Sequence, residues 1–222
     1  MATEREKDAI RKILQASSAP CIVELGARTG EEEQWLREAC GDGPGRDPHY
    51  IMVEPDMWNL QHLLDNPRGL DQNRKVIAGA VTHEDGIVQF FPSISPDGSR
   101  TSGSIRLPTQ AHFDRYPDVK FMKELASVVP GWSLDSIFRK DWLTKIDLLW
   151  ADIQGAEADM ILGGTEALKR TRYLFMEVYD EEMYVGQAGR RGLLAILQEW
   201  RLVEDFGDNV LLENPSPIEG RI

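Results

Sequence analysis

The stretch Val23-Glu24-Leu25-Gly26-Ala27-Arg28-Thr29-Gly30 decides the fold. It is an apolar run that stops in two glycines bracketing a short loop. Directly after it comes Glu31-Glu32-Glu33-Gln34-Trp35-Leu36-Arg37-Glu38-Ala39, which reads as a helix. A strand, a glycine turn and a helix in that order wrap a nucleotide-like ligand. A dinucleotide fold, however, wants G-x-G-x-x-G after its first strand, so that backbone can approach the pyrophosphate. Counted from Gly26, the second glycine position holds Arg28 and the third holds Glu31, so the fingerprint fails twice. A phosphate at this helix start would also face three glutamates. Those glutamates suit the helix, because negative charge at an N-terminus offsets the macrodipole, but they oppose an anionic ligand. S-Adenosylmethionine has no phosphate and carries a sulfonium and an ammonium, so an acidic strand end fits it.

Two further stretches extend the pattern. In Tyr50-Ile51-Met52-Val53-Glu54-Pro55-Asp56 a strand ends in Glu54, one strand on from the glycine loop. Open α/β sheets place a carboxylate there against ribose hydroxyls, and the plainer reading is a solvated glutamate. In "KIDLLWADIQGAEADMILGG" (145–164) a buried strand runs into Asp152, then a turn at Gly155, then a helix opening near Glu157. The plainer reading of Asp152 is a helix cap.

The rest of the chain alternates β and α. Helices are expected near 3–17, 31–40, 56–66, 156–169 and 190–200, with a short one in "SLDSIF" capped by Ser133. Strands are expected at 20–25, 49–54, 75–81, 87–91, 126–129, 146–151 and 172–178. Apolar, β-branched strands alternating with helices imply a parallel sheet covered on both faces. A closing pair, 201–206 and 209–213, turns at Gly207-Asp208 as an antiparallel hairpin. The segment 92–124, rich in Pro, Ser, Gly and Asp, reads as a loop or lid with a short strand at 103–107. Residues 1–215 form a single domain in this reading. Residues 216–222, which contain Ile218-Glu219-Gly220-Arg221, read as a tail left by a protease-cleavable tag.

The bulk numbers narrow the partners. With 25 Lys and Arg against 37 Asp and Glu, the formal net charge is −12, which disfavours nucleic acid and anionic membrane. No apolar run approaches the ~20 residues of a membrane span. The charged N-terminal stretch lacks a signal-peptide core, so a cytoplasmic location is expected. Thr3-Glu4-Arg5-Glu6 looks like a capping box. Cys21 and Cys40 have no metal or redox spacing and read as reduced structural thiols.

Taken together, these motifs resemble the FkbM family of S-adenosylmethionine-dependent methyltransferases over roughly residues 20–180. The most specific part is "SLDSIFRKDWLTKIDLLWADIQGAEADMILGG" (133–164), similar to the family's "LD…iDlLKiDvEGaE…L.G" block. "VELGARTG" resembles the family's "DiGAniG", "VEPD" and "AGAVT" resemble the next two motifs, and Glu177 matches the glutamate of the following strand. The chain departs from the pattern at Glu24, at Arg28-Thr29, at Trp150-Ala151 and at Gln154, where the family usually has an acidic residue. The resemblance implies a Rossmann-like class I methyltransferase fold: a mostly parallel seven-stranded α/β sheet with helices on both faces and an antiparallel C-terminal hairpin. It implies that Glu24, Gly26, Ala27 and Gly30 shape the pocket for the methionine end of the cofactor. Glu54 and Pro55 would hold the ribose, Ala80 and Val81 would flank the adenine, and Asp152 would sit between cofactor and acceptor. The implied acceptor is a hydroxyl on a small molecule, sugar or glycolipid.

An alcohol acceptor needs its proton taken by a positioned carboxylate or imidazole. Asp152 is the first candidate, His83 the second and His112, in the lid, the third. A divalent ion on Asp152 and Glu177 is not demanded by any His/Asp/Glu spacing, and no metal is expected. Arg28 would pair with Glu24 or Glu54, or grip the methionine carboxylate; exposed arginines more often just solvate. Met57 and Trp58 lie close to the adenine position, although "WNLQHLL" reads as a helix packed on the sheet. Two other functions stay open: a nicotinamide-dependent oxidoreductase, which the missing glycines oppose, and a domain that binds S-adenosylmethionine without catalysis.

Overall fold

The computed structural model describes residues 2–66, 71–140 and 143–218. Helix α1 (Glu4–Gln15) opens with the expected capping box: the Thr3 side chain accepts from the Glu6 N–H while Glu6 accepts from the Thr3 N–H. The chain then runs β1 (Cys21–Leu25), α2 (Glu33–Ala39), β2 (His49–Glu54), α3 (Met57–Asp65) and β3 (Arg74–Ala78). After the short β4 (Ala80–Val81) come β5 (Gly86–Phe90), β6 (Ser93–Ile94), α4 (Gln110–Arg115), β7 (Lys120–Phe121) and β8 (Ser127–Trp132). The second half is α5 (Leu134–Lys140), β9 (Ile146–Ala151), α6 (Glu157–Leu162), α7 (Thr165–Lys169), β10 (Thr171–Glu177), α8 (Arg190–Ile196), β11 (Arg201–Asp205) and β12 (Asn209–Glu213).

Seven strands form the main sheet in the order β11-β12-β10-β9-β1-β2-β3. All the registered pairs from β3 across to β10 are parallel, and β12 alone runs against its neighbours, as the C-terminal hairpin requires. Every residue of β1 and β9 is buried, because both faces are covered. Alternate side chains serve two cores. Ile22, Tyr50, Met52, Leu148 and Trp150 pack under α1–α3. Val23, Ile51, Val53, Leu149 and Met176 pack with apolar side chains of α5–α8. This is why the strands read as unbroken apolar runs and not as alternation.

The topology sets the site. From β1 the chain winds outward through β2 to β3, and later returns on the other side of β1 through β9 and β10. Ligands of open α/β sheets bind at the carboxyl ends of the strands flanking such a reversal. Gly26 follows β1 and has φ 81°; a Cβ there would lie 2.0 Å from the Asp152 carbonyl oxygen that follows β9. Close approach of the two strand ends therefore requires glycine at 26.

Several expected elements differ. The strand expected at 75–81 divides at Gly79, because β3 stays in the main sheet while β4 joins a second sheet of order β4-β8-β5. Gly79 has φ 143°, and a Cβ there would meet the Pro130 carbonyl oxygen at 2.7 Å and the Trp132 ring at 2.8 Å. Gly79→Ala combines a positive φ with overpacking, so it should cost about 1–3 kcal/mol in urea unfolding. The helix expected at 156–169 divides into α6 and α7 at Gly163-Gly164, where backbone of Thr82 and His83 packs within 2.8 Å of a would-be Gly163 Cβ. The helix expected at 190–200 ends at Ile196.

The segment 92–124 holds α4, β6 and β7, and it lacks the strand expected at 103–107. Ser104 makes only an isolated bridge to Phe91 there. The segment is pinned at several points: Ser102 N–H donates to Ser93 Oγ (2.8 Å), Ser104 Oγ to the Gln154 carbonyl (2.7 Å) and Thr109 N–H to the Met183 carbonyl (2.9 Å). In the expected tail, Ile218 N–H donates to the Lys169 carbonyl (2.8 Å), and 219–222 lie outside the described residues. Among the described residues, no helix is long and apolar enough to cross a membrane.

Candidate active site

Two hollows open at the carboxyl edge of the sheet, and they share Gly26, Arg28 and Asp152. The first encloses about 530 Å³, open mouth included, between the end of β2, the start of α3, β4 and residues 100–105. Glu54, Pro55, Ala80 and Val81 line it together. The second lies over the ends of β1, β9 and β10 and is lined by Glu24, Ala27, Glu31, Glu32, Asp152 and Glu177, with Trp150 and Phe175 behind.

Glu54 is held by α3 and by the glycine loop. Its Oε1 accepts the Asp56 N–H (2.8 Å) and Asn59 Nδ2–H (3.3 Å), and its Oε2 accepts the Arg28 N–H (2.8 Å). Arg28 reaches that position with φ 49°, a left-handed backbone that only a built turn imposes on a non-glycine residue. Burial pushes the Glu54 carboxyl up to about 7, although its hydrogen bonds pull the other way. Asp56 caps α3, accepting from Trp58 N–H at 2.8 Å, and also holds Arg100 at 3.1 Å. Arg100 lies over the Trp58 ring at 5.7 Å, so the segment before α4 forms a wall of the first hollow.

In the second hollow, Tyr50 donates its hydroxyl proton to Glu24 Oε2 at 2.7 Å. Burial pushes Glu24 up to about 8, and the charges of Glu32, Glu33 and Glu54 add to the effect. Asp152 directly follows β9, and α6 starts from Ala156 with no side-chain cap. Asp152 is therefore not a cap. Its Oδ1 accepts from Gln154 Nε2, whose other hydrogen reaches Glu177 Oε2 at 3.0 Å. Tyr184 donates to Gln154 Oε1, and Tyr179 donates to Glu177 Oε1 at 2.6 Å. Gln154 also has a positive φ, 53°. Burial raises both Asp152 and Glu177, and Glu177 is raised further by the charge of Asp152. A neutral amide thus ties two carboxylates together where the resembled family usually carries a third acid.

Other expectations are corrected. His83 is exposed beside Glu84, Asp85, Ser133 and Arg139, because Thr82 still pairs with Trp132 and the chain then turns away from both hollows. His112 is buried at 1 % exposure in a box of Phe113, Tyr116, Phe121 and Tyr184 rings 5.2–5.8 Å away, behind Tyr184 and lining neither hollow. Burial lowers its basicity. Glu157 turns inward, pushed up to about 7 by burial and by Asp152. Gly30 (φ 81°) shapes the loop and lines neither hollow; its N–H donates to the Ala27 carbonyl at 2.8 Å. Of the three glutamates expected at the mouth, Glu33 is instead buried between Arg37 (3.1 Å) and Arg74 (3.0 Å). Arg28 pairs through its side chain with Glu31 at 3.0 Å, and with Glu54 only through its N–H. Met57 and Trp58 are exposed at 67 % and 39 %; Leu60 and Leu63 pack α3 instead. Cys21 and Cys40 are buried thiols and are not disulfide-bonded. Sequence reasoning missed Asn59 and Arg100 in the first hollow, and it noted Gln154 only as a departure.

The buried acids give the fold a pH dependence with a definite sign. Glu24, Glu54 and Glu157 have folded values of about 8, 7 and 7, above the ordinary carboxylate range. Their protonated forms favour the folded state, so this stability is fully present below the unfolded value and is lost as pH rises through 7 to 8. The ligand-free protein should melt at a lower temperature at pH 8.5 than at pH 5.5. Glu24→Gln should flatten that slope in a calorimetric series.

Known proteins are similar to this chain in sequence or in fold. The family model described as the methyltransferase FkbM domain matches residues 24–208. The chain is 36% identical over 203 residues to a 2-O-methyltransferase, NoeI, of Sinorhizobium fredii (strain NBRC 101917 / NGR234), covering 88% of this chain and 79% of that protein. Among solved structures, the fold is similar to monomeric WbdD (TM-score 0.52, 12% identity), with 96% of this chain matched to 42% of that longer one. It is also similar to an O-methyltransferase from Bacillus cereus in complex with SAH (TM-score 0.51, 11% identity), with 96% and 81% covered.

Proposed function

The chain belongs to the FkbM-domain methyltransferases, and from that premise we propose that it moves the methyl group of S-adenosylmethionine to a hydroxyl oxygen of a polyhydroxylated small molecule such as a sugar. The observation that carries this reading is the pairing of a buried, hydrogen-bonded carboxylate at the end of β2 with the Asp152–Gln154–Glu177 cluster across the shared floor. The residues present suit a phosphate-free, cationic cofactor. Glu54 keeps acceptor capacity toward the first hollow, and Ala80 and Val81 offer an apolar wall for a purine. Glu31 and Glu32 make the mouth of the second hollow acidic, which favours an ammonium and opposes a pyrophosphate, and Glu24 adds to this when it ionises.

When bound, S-adenosylmethionine supplies an electrophilic methyl whose positive charge disappears on transfer. The protein's part is to align the acceptor oxygen, exclude water and take the hydroxyl proton. Asp152 takes that role, because it lines both hollows and its raised proton affinity makes it a better base than a solvated carboxylate. Gln154 keeps Asp152 and Glu177 in place without adding charge. The relative's name specifies a numbered oxygen as acceptor, which fits a polyol.

The test is direct. S-Adenosylhomocysteine at 100 times its Kd should stabilise the protein by about 2.7 kcal/mol, and NAD should leave it unchanged. Labelled methyl transfer should then appear on a member of a panel of sugars and glycolipids. Stabilisation by NAD alone would sink the reading, and cofactor binding without transfer across the whole panel would reduce it to a binding domain.

A further inference from the structure

Resting on that reading, we propose that Asn59 reads the cofactor's ribose together with Glu54, one hydroxyl going to each. A carboxylate offers about four lone-pair positions. Among the described residues, three on Glu54 are taken by Asp56 N–H, Asn59 Nδ2–H and Arg28 N–H. Oε1, with two of these donors, is filled, and Oε2 keeps one place. A ribose diol brings two O–H donors. Glu54 alone therefore cannot accept both without losing a bond that shapes the glycine loop or α3. The second acceptor stands beside it: Asn59 lines the same hollow, is 3 % exposed, and no donor among the described residues reaches its Oδ1.

The amide cannot simply turn over to hide that oxygen. Its Nδ2 donates both to Glu54 Oε1 and to the Arg100 carbonyl oxygen at 3.1 Å. Turning it would set Oδ1 against two acceptors. A buried amide oxygen left without a donor is costly, so its orientation is maintained by its neighbours, and a hydroxyl proton completes it. Asn59 sits on the first turn of α3, whose cap Asp56 also holds Arg100. Ribose recognition is thereby tied to the wall formed by residues 100–105.

Two hydroxyls on unlike acceptors predict unequal losses. Calorimetry on the unaltered protein with S-adenosylhomocysteine and its 2′-deoxy and 3′-deoxy analogues should show one analogue weakened about 10-fold to 100-fold and the other only about 2-fold to 10-fold, the ranges of charged and neutral hydrogen bonds. In Asn59→Ala, S-adenosylhomocysteine should weaken about 2-fold to 10-fold, while the analogue with the smaller loss should bind variant and parent alike. Two equally large analogue losses would return both hydroxyls to Glu54 and overturn the proposal, without any variant. Equal weakening of all three ligands by Asn59→Ala would also overturn it, leaving Asn59 a scaffold residue. If S-adenosylhomocysteine fails to bind the parent protein, the cofactor reading itself falls, which is a separate outcome.

Discussion

Asp152→Asn should bind S-adenosylhomocysteine within a few-fold of the parent protein and lose at least ~100-fold in methyl transfer. Asn keeps the size of Asp, and its amide oxygen can still accept from Gln154 Nε2, so the cluster with Glu177 and Tyr184 retains its shape. What disappears is the capacity to receive a proton. A group that acts only in the transition state lowers kcat more than it raises KM, and single-turnover rates on pre-bound acceptor would isolate that loss. Helix capping cannot explain a loss, because α6 takes no side-chain cap from Asp152. Turnover within a few-fold of normal would transfer the base role to Glu177, which shares the Gln154 amide. His83 and His112 are no longer alternatives, since one faces solvent outside both hollows and the other is sealed among rings.

Much of this was legible because the informative signals were local. β1, β2 and β9 are buried on both faces, so apolar runs ending in Gly26, Glu54 and Asp152 marked the strands together with the ends that line the two hollows. The failed dinucleotide fingerprint carried chemistry as well as geometry. What escaped depends on contacts distant in sequence. Gly79 looks like the middle of a strand until Trp132, far along the chain, packs against it and sends the two halves into different sheets. The segment 92–124 has no periodicity because bonds to Phe91, Gln154 and Met183 fix it instead of a helix or sheet repeat. His83 lies two residues past Val81, which lines the first hollow, but the intervening turn points it away. Glu33 shows the converse: a charge that reads as solvent-facing in a run of three is buried once Arg37 and Arg74 close on it. Identity of residue type told that a carboxylate was present; only packing told which way it faced.

Glu54→Ala should weaken S-adenosylhomocysteine about 10-fold to 100-fold, the range of a hydrogen bond to a charged acceptor, and change kcat far less than Asp152→Asn does. The ribose is the same in ground and transition states, so a group that holds it contributes uniform binding, which appears in affinity and not in the chemical step. A pH series adds a signature that general damage to the fold would not give. The free Glu54 carboxyl is pushed up to about 7 by burial, so near pH 6 it is mostly protonated. A hydroxyl donated to the ionised form favours that form, and ligand binding must then release a proton below the free value. Affinity in the parent protein should accordingly rise from pH 6 to pH 8 by on the order of 10-fold. Glu24, with its value near 8, contributes a second, later rise if the cofactor's ammonium lies beside it. In Glu54→Ala the earlier rise should vanish while any contribution from Glu24 remains. Titrations in two buffers of different ionisation enthalpy would count the released protons directly. If parent and variant show the same pH profile and the same proton count, Glu54 carries no part of the bound nucleoside, and the acidic strand end belongs to the fold alone.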